Sequence, residues 1–345
     1  MRHGHERHRK HGDESLIEPG GEPVIEARDL RKWFPVRRGL TQTGPQTYLR
    51  AVDGISFKLH AGEVLGLVGE SGCGKSTAGM TLLNLYSPTS GEIIFDGLGR
   101  IDGADRRTLL AFRRQAQIVF QNPYEALNPR HTVEQSVREP IEIHFPGDED
   151  AKREKLTRAM TRAGLLPVET YLGRYPHQLS GGQLQRVAIA RAISVEPRLL
   201  VADEPVSMLD VSIRASILNL LRHFAAELHM AVLYISHDLS TMRHVCSKIA
   251  VMYLGRIVES GPVDHILDYP RHPYTQALIA AVPHMGSGAE RPRVRLPGAA
   301  PNAVEMPSGC PFHPRCGQAM TRCRESEPVL KPLAEAHHVA CHLYD

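Results

Sequence analysis

The sequence predicts an α/β fold in which a parallel sheet is covered by helices. Three observations carry this. Short apolar runs of strand length alternate with segments of helical period. A glycine-rich stretch, "GESGCGKST" (69–77), joins one such strand to one such helix. A second apolar strand, "RLLVADE" (198–204), ends in two acids.

Taken in order, residues 1–22 are rich in His, Arg, Gly and Glu without periodicity and read as a flexible tail. Nothing fixes the geometry of its His3, His5, His8 and His11, so they read as solvated rather than metal-binding. "VIEARDLRKWF" (24–34) is a first strand, residues 39–47 a Gly/Thr/Pro loop, and "LRAVDGISFKL" (49–59) a second strand. "EVLGLVG" (63–69) is a short apolar strand feeding the glycine loop, and "STAGMTLLNLY" (76–86) continues it as a helix. "GEIIFDG" (91–97) reads as another strand, and residues 104–176 as a polar helical insertion. Beyond the acid-ended strand, Ile213, Ile217, Leu221, Phe224 and Leu228 recur at helical spacing, and "AVLYISH" (231–237) is the next strand. No long internal repeat occurs, so a single nucleotide domain is expected over residues 23–285. From about residue 290 the chain is dense in Pro and Gly, and residues 286–345 read as a loop-built, Cys-rich appendage.

Composition sets the bounds. A hydrophobic content of 42% with 23% charged residues is ordinary for a folded soluble protein, so a core of normal size is available. The 41 basic residues nearly balance 38 acidic ones, and the resulting +3 decides nothing about nucleic acid or membrane. No apolar run approaches the ~18 residues that span a bilayer. The N-terminus lacks the apolar stretch of a secretory signal. The chain is therefore expected in the cytosol, reaching a membrane only through a partner.

Gly69, Gly74, Lys75 and Ser76 satisfy the phosphate-loop pattern with a strand before and a helix after. Glycines let backbone N–H groups converge on phosphate oxygens, and the helix N-terminus adds positive potential. The intervening Glu70, Ser71, Gly72 and Cys73 complete the cradle, with Cys73 a small filler whose side chain the binding does not need. Lys75 is expected to bridge the β- and γ-phosphates of ATP, Ser76 to ligate Mg²⁺, and Thr77 to add a contact to the α-phosphate. Asp203 and Glu204 end an apolar strand that delivers carboxylates to the phosphate mouth. Asp203 suits the Mg²⁺ shell, directly or through water, and Glu204 suits polarisation of the attacking water.

"LSGGQLQR" (179–186) narrows the choice among phosphate-loop ATPases. Ser180, Gly181, Gly182 and Gln183 open a second helix whose free N–H groups can face phosphate. In chain order, "GESGCGKST", "IVFQNP" with Gln121, "LSGGQ", "LLVADEP" and "YISHDL" with His237 resemble the ATP-binding subunits of ABC transporters over residues 24–285. That resemblance implies a RecA-like parallel core sheet, an antiparallel β subdomain and a helical subdomain over about 104–176. It also implies two such chains meeting head to tail, so that Ser180 and Gly182 serve the nucleotide held on the opposite chain. By the same resemblance Gln121 touches Mg²⁺ and water, His237 hydrogen-bonds the γ-phosphate, and Asp210 links the two sites. In this sequence Met208 stands where many relatives have Ala. Of the upstream aromatics, Trp33 and Phe34 can each stack on adenine, with Phe34 favoured.

The chain has no fused membrane span, no second copy of the motifs and no long heptad segment. That disfavours most exporters and the branches acting in translation and DNA repair, and no nucleic-acid partner is expected. "FQNPYEALNPR", "DEPVSMLDVSIRASILNLL" and "HPYTQALIAAVP" (272–283), followed by the Cys-rich tail, resemble the oligopeptide/dipeptide importer branch. The resemblance implies an ATPase on the cytoplasmic face of the cell membrane. Its partners would be a second ATPase chain (a copy or a sister), two transmembrane permease subunits and an extracytoplasmic substrate-binding protein. Related importers of nickel or glutathione, and a regulatory subunit that senses ATP without turnover, are the alternatives.

Cys310, Cys316, Cys323 and Cys341 crowd into the last 36 residues, which in a reducing compartment suggests a metal or cluster site more than disulfides. On chemistry alone, zinc or an iron–sulfur cluster fits four soft ligands, and His313, His337, His338 and His342 offer substitutes. Resemblance to members of the branch favours a [4Fe–4S] cluster, with Zn²⁺ and unligated thiols as alternatives.

Overall fold

The computed structural model describes residues 21–36, 46–282, 298, 301–334 and 336–345. The histidines of the N-terminal tail and most of the expected loop at 39–47 lie outside the described residues.

Strands β1 (Ile25–Pro35) and β2 (Tyr48–Leu59) pair antiparallel, and β3 (Val64–Val68) runs into the glycine loop and helix α1 (Lys75–Leu82). The helix is shorter than the apolar run suggests, because Asn84 adopts φ 50°, a left-handed conformation that breaks it. Strands β4 (Ser90–Phe95) and β5 (Gly99–Arg100) complete a four-stranded antiparallel sheet of order β2-β1-β4-β5. The region expected to be helical contains α2 (Arg106–Gln115), α3 (Pro123–Ala126), α4 (Val133–His144), α5 (Glu149–Arg162) and α6 (Glu169–Leu172). It also contains a strand, β6 (Ala116–Val119), which pairs parallel with β7 (Leu199–Asp203) at the edge of the main sheet. This corrects the all-helical expectation: four residues between two polar segments are too few to display a period of two.

Helix α7 (Gly181–Ile193) precedes β7, and α8 (Val211–Leu228) links it to β8 (Ala231–Ser236). Then come α9 (Met242–Val245), β9 (Lys248–Tyr253), β10 (Arg256–Pro262), α10 (Val263–Asp268) and α11 (Pro273–Ala280). In the main sheet, β9, β3, β8, β7 and β6 are mutually parallel, whereas β10 pairs antiparallel with β9.

The parallel strands are buried on both faces, and alternate residues feed different cores. Val64 and Val68 of β3, Leu200 of β7 and Tyr234 of β8 join the core shared with α4, α5, α7 and α8. Leu65 and Leu67, Leu199 and Val201, and Leu233 and Ile235 join the core under α1 and the antiparallel sheet. This is why the strands read as continuous apolar runs rather than alternating ones. Burying each such Leu, Ile or Val contributes about 1.5–3 kcal/mol.

The C-terminal segment is more than a loop-built appendage. After helix α12 (Arg322–Glu325), β11 (Lys331–Ala334) and β12 (His337–Val339) extend the main sheet beyond β10, with Glu259 opposite Val339 and Ser260 opposite His338. Glu259, fully buried on β10, fastens this edge. Its carboxylate accepts from Arg271 N (2.7 Å) and His272 N (3.0 Å) and pairs with His337 Nε2 at 2.8 Å. "KPLA" and "HHV" are too short and polar to announce strands, and their pairing depends on an edge contributed from elsewhere in the chain.

Candidate nucleotide site

The glycine loop wraps a cavity of about 650 Å³ at the carboxyl ends of the parallel strands. Its glycines are required sterically. A Cβ at Gly74, where φ is 106°, would lie 1.9 Å from Ala51 O, and one at Gly69 would lie 2.2 Å from Met252 O. Lys75 is 4% exposed, and its Nζ donates to Gly69 O (2.8 Å) and Glu70 O (2.9 Å), so the ammonium sits at the centre of the loop it belongs to. Cys73 Sγ lies 3.8 Å from that nitrogen, and burial pushes its thiol above the ordinary range. It packs; it is not poised as a nucleophile. Gly69 through Thr77 all line the cavity.

Strand β7 delivers Asp203 beside α1. Ser76 Oγ donates to Asp203 Oδ1 at 2.9 Å, so the hydroxyl and carboxylate expected around Mg²⁺ are already adjacent. Burial raises the pKa of Asp203, and the Ser76 hydroxyl opposes that shift. A carboxylate 5% exposed and held by a hydroxyl is the donor set a hard divalent cation takes. These residues fit the metal.

Glu204 follows in a left-handed conformation, φ 46°, that costs a non-glycine residue about 1–3 kcal/mol. The surroundings enforce it. Its N–H donates to Ile235 O (2.9 Å), prolonging the β7–β8 pairing, and its carbonyl accepts from Ser207 N (3.2 Å) and Ser207 Oγ (3.1 Å). The side chain is thereby aimed at the cavity, where Gln121 Nε2 donates to Oε2 (3.1 Å) and His237 Nδ1 meets Oε1 (3.0 Å). Residues following β6 and β8 thus converge on the carboxylate presented after the strand between them, β7.

Ser180, Gly181, Gly182 and Gln183 do not line this cavity. Ser180 caps α7 in a reciprocal box: Gln183 N donates to Ser180 Oγ (3.4 Å), and Ser180 N donates to Gln183 Oε1 (3.1 Å). Ser180 and Gly181 are exposed, while Gly182 is buried against Ile213 of α8. Asp210 opens α8 with an exposed side chain that caps no N–H, next to Met208, which is 66% exposed. An exposed helix start and an exposed acidic turn therefore sit apart from the lysine loop.

Phe34 does not line the cavity either. Its ring meets Tyr86 edge-on at 5.5 Å, with Lys32 Nζ 5.0 Å from its centroid. Trp33 Nε1 donates to Asp53 Oδ1 (3.0 Å), and the Arg50 guanidinium stacks 4.7 Å from its ring. The wall near β2 is formed instead by Leu49, Arg50 and Ala51, with Gly255, Leu278 and Ala303. Sequence reasoning missed these, since backbone-lining residues carry no motif.

In the C-terminal segment, Cys310 N donates to Cys323 O (2.8 Å), and burial pushes the thiols of Cys310 and Cys316 up and that of Cys341 up to about 11. Cys310, Cys316 and Cys323 each add to the upward shift of Cys341, so all four thiols lie within electrostatic reach of one another. Among the described residues, no three His, Cys, Asp or Glu side chains are arranged to hold a single metal ion. Three of the four candidate histidines are engaged elsewhere: His313 with Cys310 O, His337 with Glu259, and His342 with Asp345 and Ser326 O. No helix among the described residues is long and apolar enough to cross a membrane.

Comparison with known proteins agrees with this geometry. The family model described as "ABC transporter" matches residues 52–207, and that described as "Oligopeptide/dipeptide transporter, C-terminal region" matches 258–323. The chain is 45% identical to the oligopeptide transport ATP-binding protein AppF of Bacillus subtilis, covering 94% of this chain and 98% of that one. It is 44% identical to the dipeptide transport ATP-binding protein DppF of Escherichia coli, covering 94% and 95%. Among solved structures it is similar to the dimeric structure of a bacterial ABC transporter cassette (TM-score 0.60, 27% identity, 69% and 98% covered). It is also similar to a Clostridium perfringens cassette that is part of an ABC transporter complex (TM-score 0.61, 28% identity, 72% and 92% covered).

Proposed function

The chain belongs to the ATP-binding subunits of ABC transporters, in the oligopeptide/dipeptide branch, and from that premise we propose that it hydrolyses ATP to power import of di- or oligopeptides. The observation that carries this function is the convergence of Gln121 and His237 on Glu204 beside the lysine loop, while the Ser180 helix start stands exposed outside the cavity.

Lys75 and the loop N–H groups hold the phosphates. Ser76 and Asp203 would hold Mg²⁺, which when bound neutralises charge developing on the β- and γ-oxygens. Glu204, oriented by Gln121 and His237, accepts the proton of the attacking water. Ser180 and Gly182 are offered to the nucleotide of a second ATPase chain, a copy or a sister, and Asp210 lies at the same junction. ATP binding closes the pair and hydrolysis reopens it. Two transmembrane permease subunits convert that cycle into alternating access on the cytoplasmic face of the membrane, and an extracytoplasmic binding protein delivers peptide. The matching organisation is an ATPase domain over 23–285, with a helical part at about 104–176 that β6 interrupts, and a C-terminal region over 286–345. Phe34 serves as adenine platform only if its ring leaves Tyr86.

The four C-terminal thiols are assigned to a [4Fe–4S] cluster rather than Zn²⁺. Four soft ligands suit either group, and the resemblance of the "GCPFHPRC" segment to members of the branch favours the cluster. A cluster takes one thiolate at each of several separated irons. Its part is to pin a segment with little apolar core of its own. Iron and labile sulfide in an anaerobic preparation are expected; their absence, with four freely alkylated thiols, overturns the assignment.

The function is tested on the transporter reconstituted with its permeases and binding protein. Peptide-loaded binding protein is expected to stimulate ATP turnover and peptide accumulation. Stimulation by nickel or glutathione but not peptide would overturn the substrate assignment.

A further inference from the structure

The acid of the glycine loop is neutralised by the C-terminal segment. Arg315 grips Glu70 with both arms, Nη1 to Oε2 at 2.9 Å and Nη2 to Oε1 at 3.1 Å, and the guanidinium side chain is only 7% exposed. Arg315 sits in a single turn (His313–Arg315) between Cys310 and Cys316, held by Arg315 N donating to Phe312 O and Cys316 N to His313 O. Below it, Tyr253, Tyr274 and Phe312 pack with ring centroids 4.6–5.5 Å apart. Tyr274 also accepts the N–H of Glu70 on its hydroxyl (2.9 Å), so that N–H is already engaged. Residue 70 is thus held at both backbone and side chain by parts of the chain some two hundred residues away.

The electrostatics give this arrangement a purpose. Glu70 lines the cavity and follows Gly69, so its charge lies beside the loop that must receive polyanionic phosphates. A like charge at such range raises the free energy of the bound anion, most strongly where water is scarce. A bidentate guanidinium both cancels that charge and fixes the carboxylate in place.

Resting on the ATP-binding function proposed above, we propose that Arg315 is a positioning residue for nucleotide binding: it shields and tethers Glu70, so that ATP affinity is set by the fold of the cysteine segment. Loop and segment then form one electrostatic unit, and the turn between Cys310 and Cys316 acts on the nucleotide through Glu70.

The test is ATP affinity of the full-length chain, read with a fluorescent ATP analogue at low and high salt, for Arg315→Ala, Glu70→Gln and the double variant. Arg315→Ala is expected to weaken binding about three- to thirtyfold, the range for coupling through a packed network. Half a molar salt is expected to recover much of that loss, because the Debye length falls to about 4 Å. In the Glu70→Gln background, removing Arg315 is expected to cost less than about threefold, as the charge it shields is gone. An unchanged affinity in Arg315→Ala overturns the proposal. So does an equal loss in both backgrounds without salt recovery, which marks Arg315 as merely structural. If Arg315→Ala does not fold, Arg315→Lys carries the same comparison with the charge kept and the two-armed grip lost, and a partial, Glu70-dependent loss is expected. Lys75→Ala serves as control. Binding that survives its loss sinks the nucleotide site itself, whereas sensitivity to Lys75 with indifference to Arg315 sinks only the shielding.

Discussion

Replacing Glu204 by Gln isolates chemistry from binding, because the change removes a charge and basicity but almost no shape. The carboxylate accepts from Gln121 Nε2 (3.1 Å) and meets His237 Nδ1 (3.0 Å). A carboxamide keeps an oxygen for one of these and presents an amide nitrogen to the other. The structural cost is therefore at most about one hydrogen bond, ~1 kcal/mol. The loop, Lys75 and Ser76 are untouched, so ATP affinity is expected to hold or to tighten as a negative charge leaves the phosphate mouth. Loss of a positioned general base costs about 10²–10⁴ in rate, or about 2.7–5.4 kcal/mol at 1.36 kcal/mol per decade. The assay is single-turnover ATP hydrolysis in the assembled transporter beside a nucleotide-binding titration. Turnover within twofold of wild type, or a rate loss matched by an equal loss of affinity, would refute the assignment of the base. The backbone gives an independent check. Glycine relaxes a φ of 46° that costs other residues about 1–3 kcal/mol, so Glu204→Gly is expected to be more stable than Glu204→Ala by about that much, both being inactive.

Three further outcomes follow from other parts of the molecule. Asp203→Asn is expected to abolish turnover and to flatten the Mg²⁺ dependence of nucleotide binding, because the buried carboxylate beside Ser76 is the charge that recruits the ion; an unaltered dependence would contradict that role. Gly182→Ala places a Cβ 2.6 Å from Ile213 Cγ2, and strain of about 1–3 kcal/mol is expected as a lower denaturant midpoint, whereas no change would mean that α7 and α8 yield freely. His272 is buried and neutral, its pKa pushed down to about 3, with Nδ1 accepting from Tyr274 N (3.1 Å). Its folded pKa lies below the ordinary value of about 6.5, so its contribution is present above pH 6.5 and is lost as pH falls toward 3. Relative to His272→Asn, which keeps the acceptor, wild-type stability is expected to fall by about 1.4 kcal/mol per unit below pH 6.5, and a pH-independent difference would exclude the effect.

Much of this was legible because the nucleotide site is written in contiguous stretches. The loop needs Gly69 and Gly74 for close backbone approach, Lys75 and Ser76 for charge and metal, and a strand that ends at Asp203. Each requirement leaves a residue type at a fixed place. What escaped notice depends on distant pairings. Strand β6 exists because β7 offers it an edge. Strand β12, three residues long, likewise pairs with the edge of β10. Family resemblance favours Phe34 as the adenine platform, yet Tyr86 and Lys32 hold its ring off the cavity. Arg315 and Tyr274 meet Glu70 across more than two hundred residues, and neither lies in a phosphate-binding motif. The stretch "HPYTQAL" and the spacing of the cysteines flagged the segment, but not that it touches the glycine loop.

The central claim is that one chain builds the lysine-loop half of a catalytic pocket and a neighbouring chain lends the other half from its Ser180 helix. The most direct measurement compares ATP binding by the lone chain with ATP turnover by the assembled transporter, in wild type and in Ser180→Arg. Since no residue of that helix start lines the cavity, binding by the lone chain is expected to change by less than about one hydrogen bond's worth, while turnover collapses. A strictly monomeric chain that splits ATP at the full rate with Ser180 and Gly182 both replaced would contradict it.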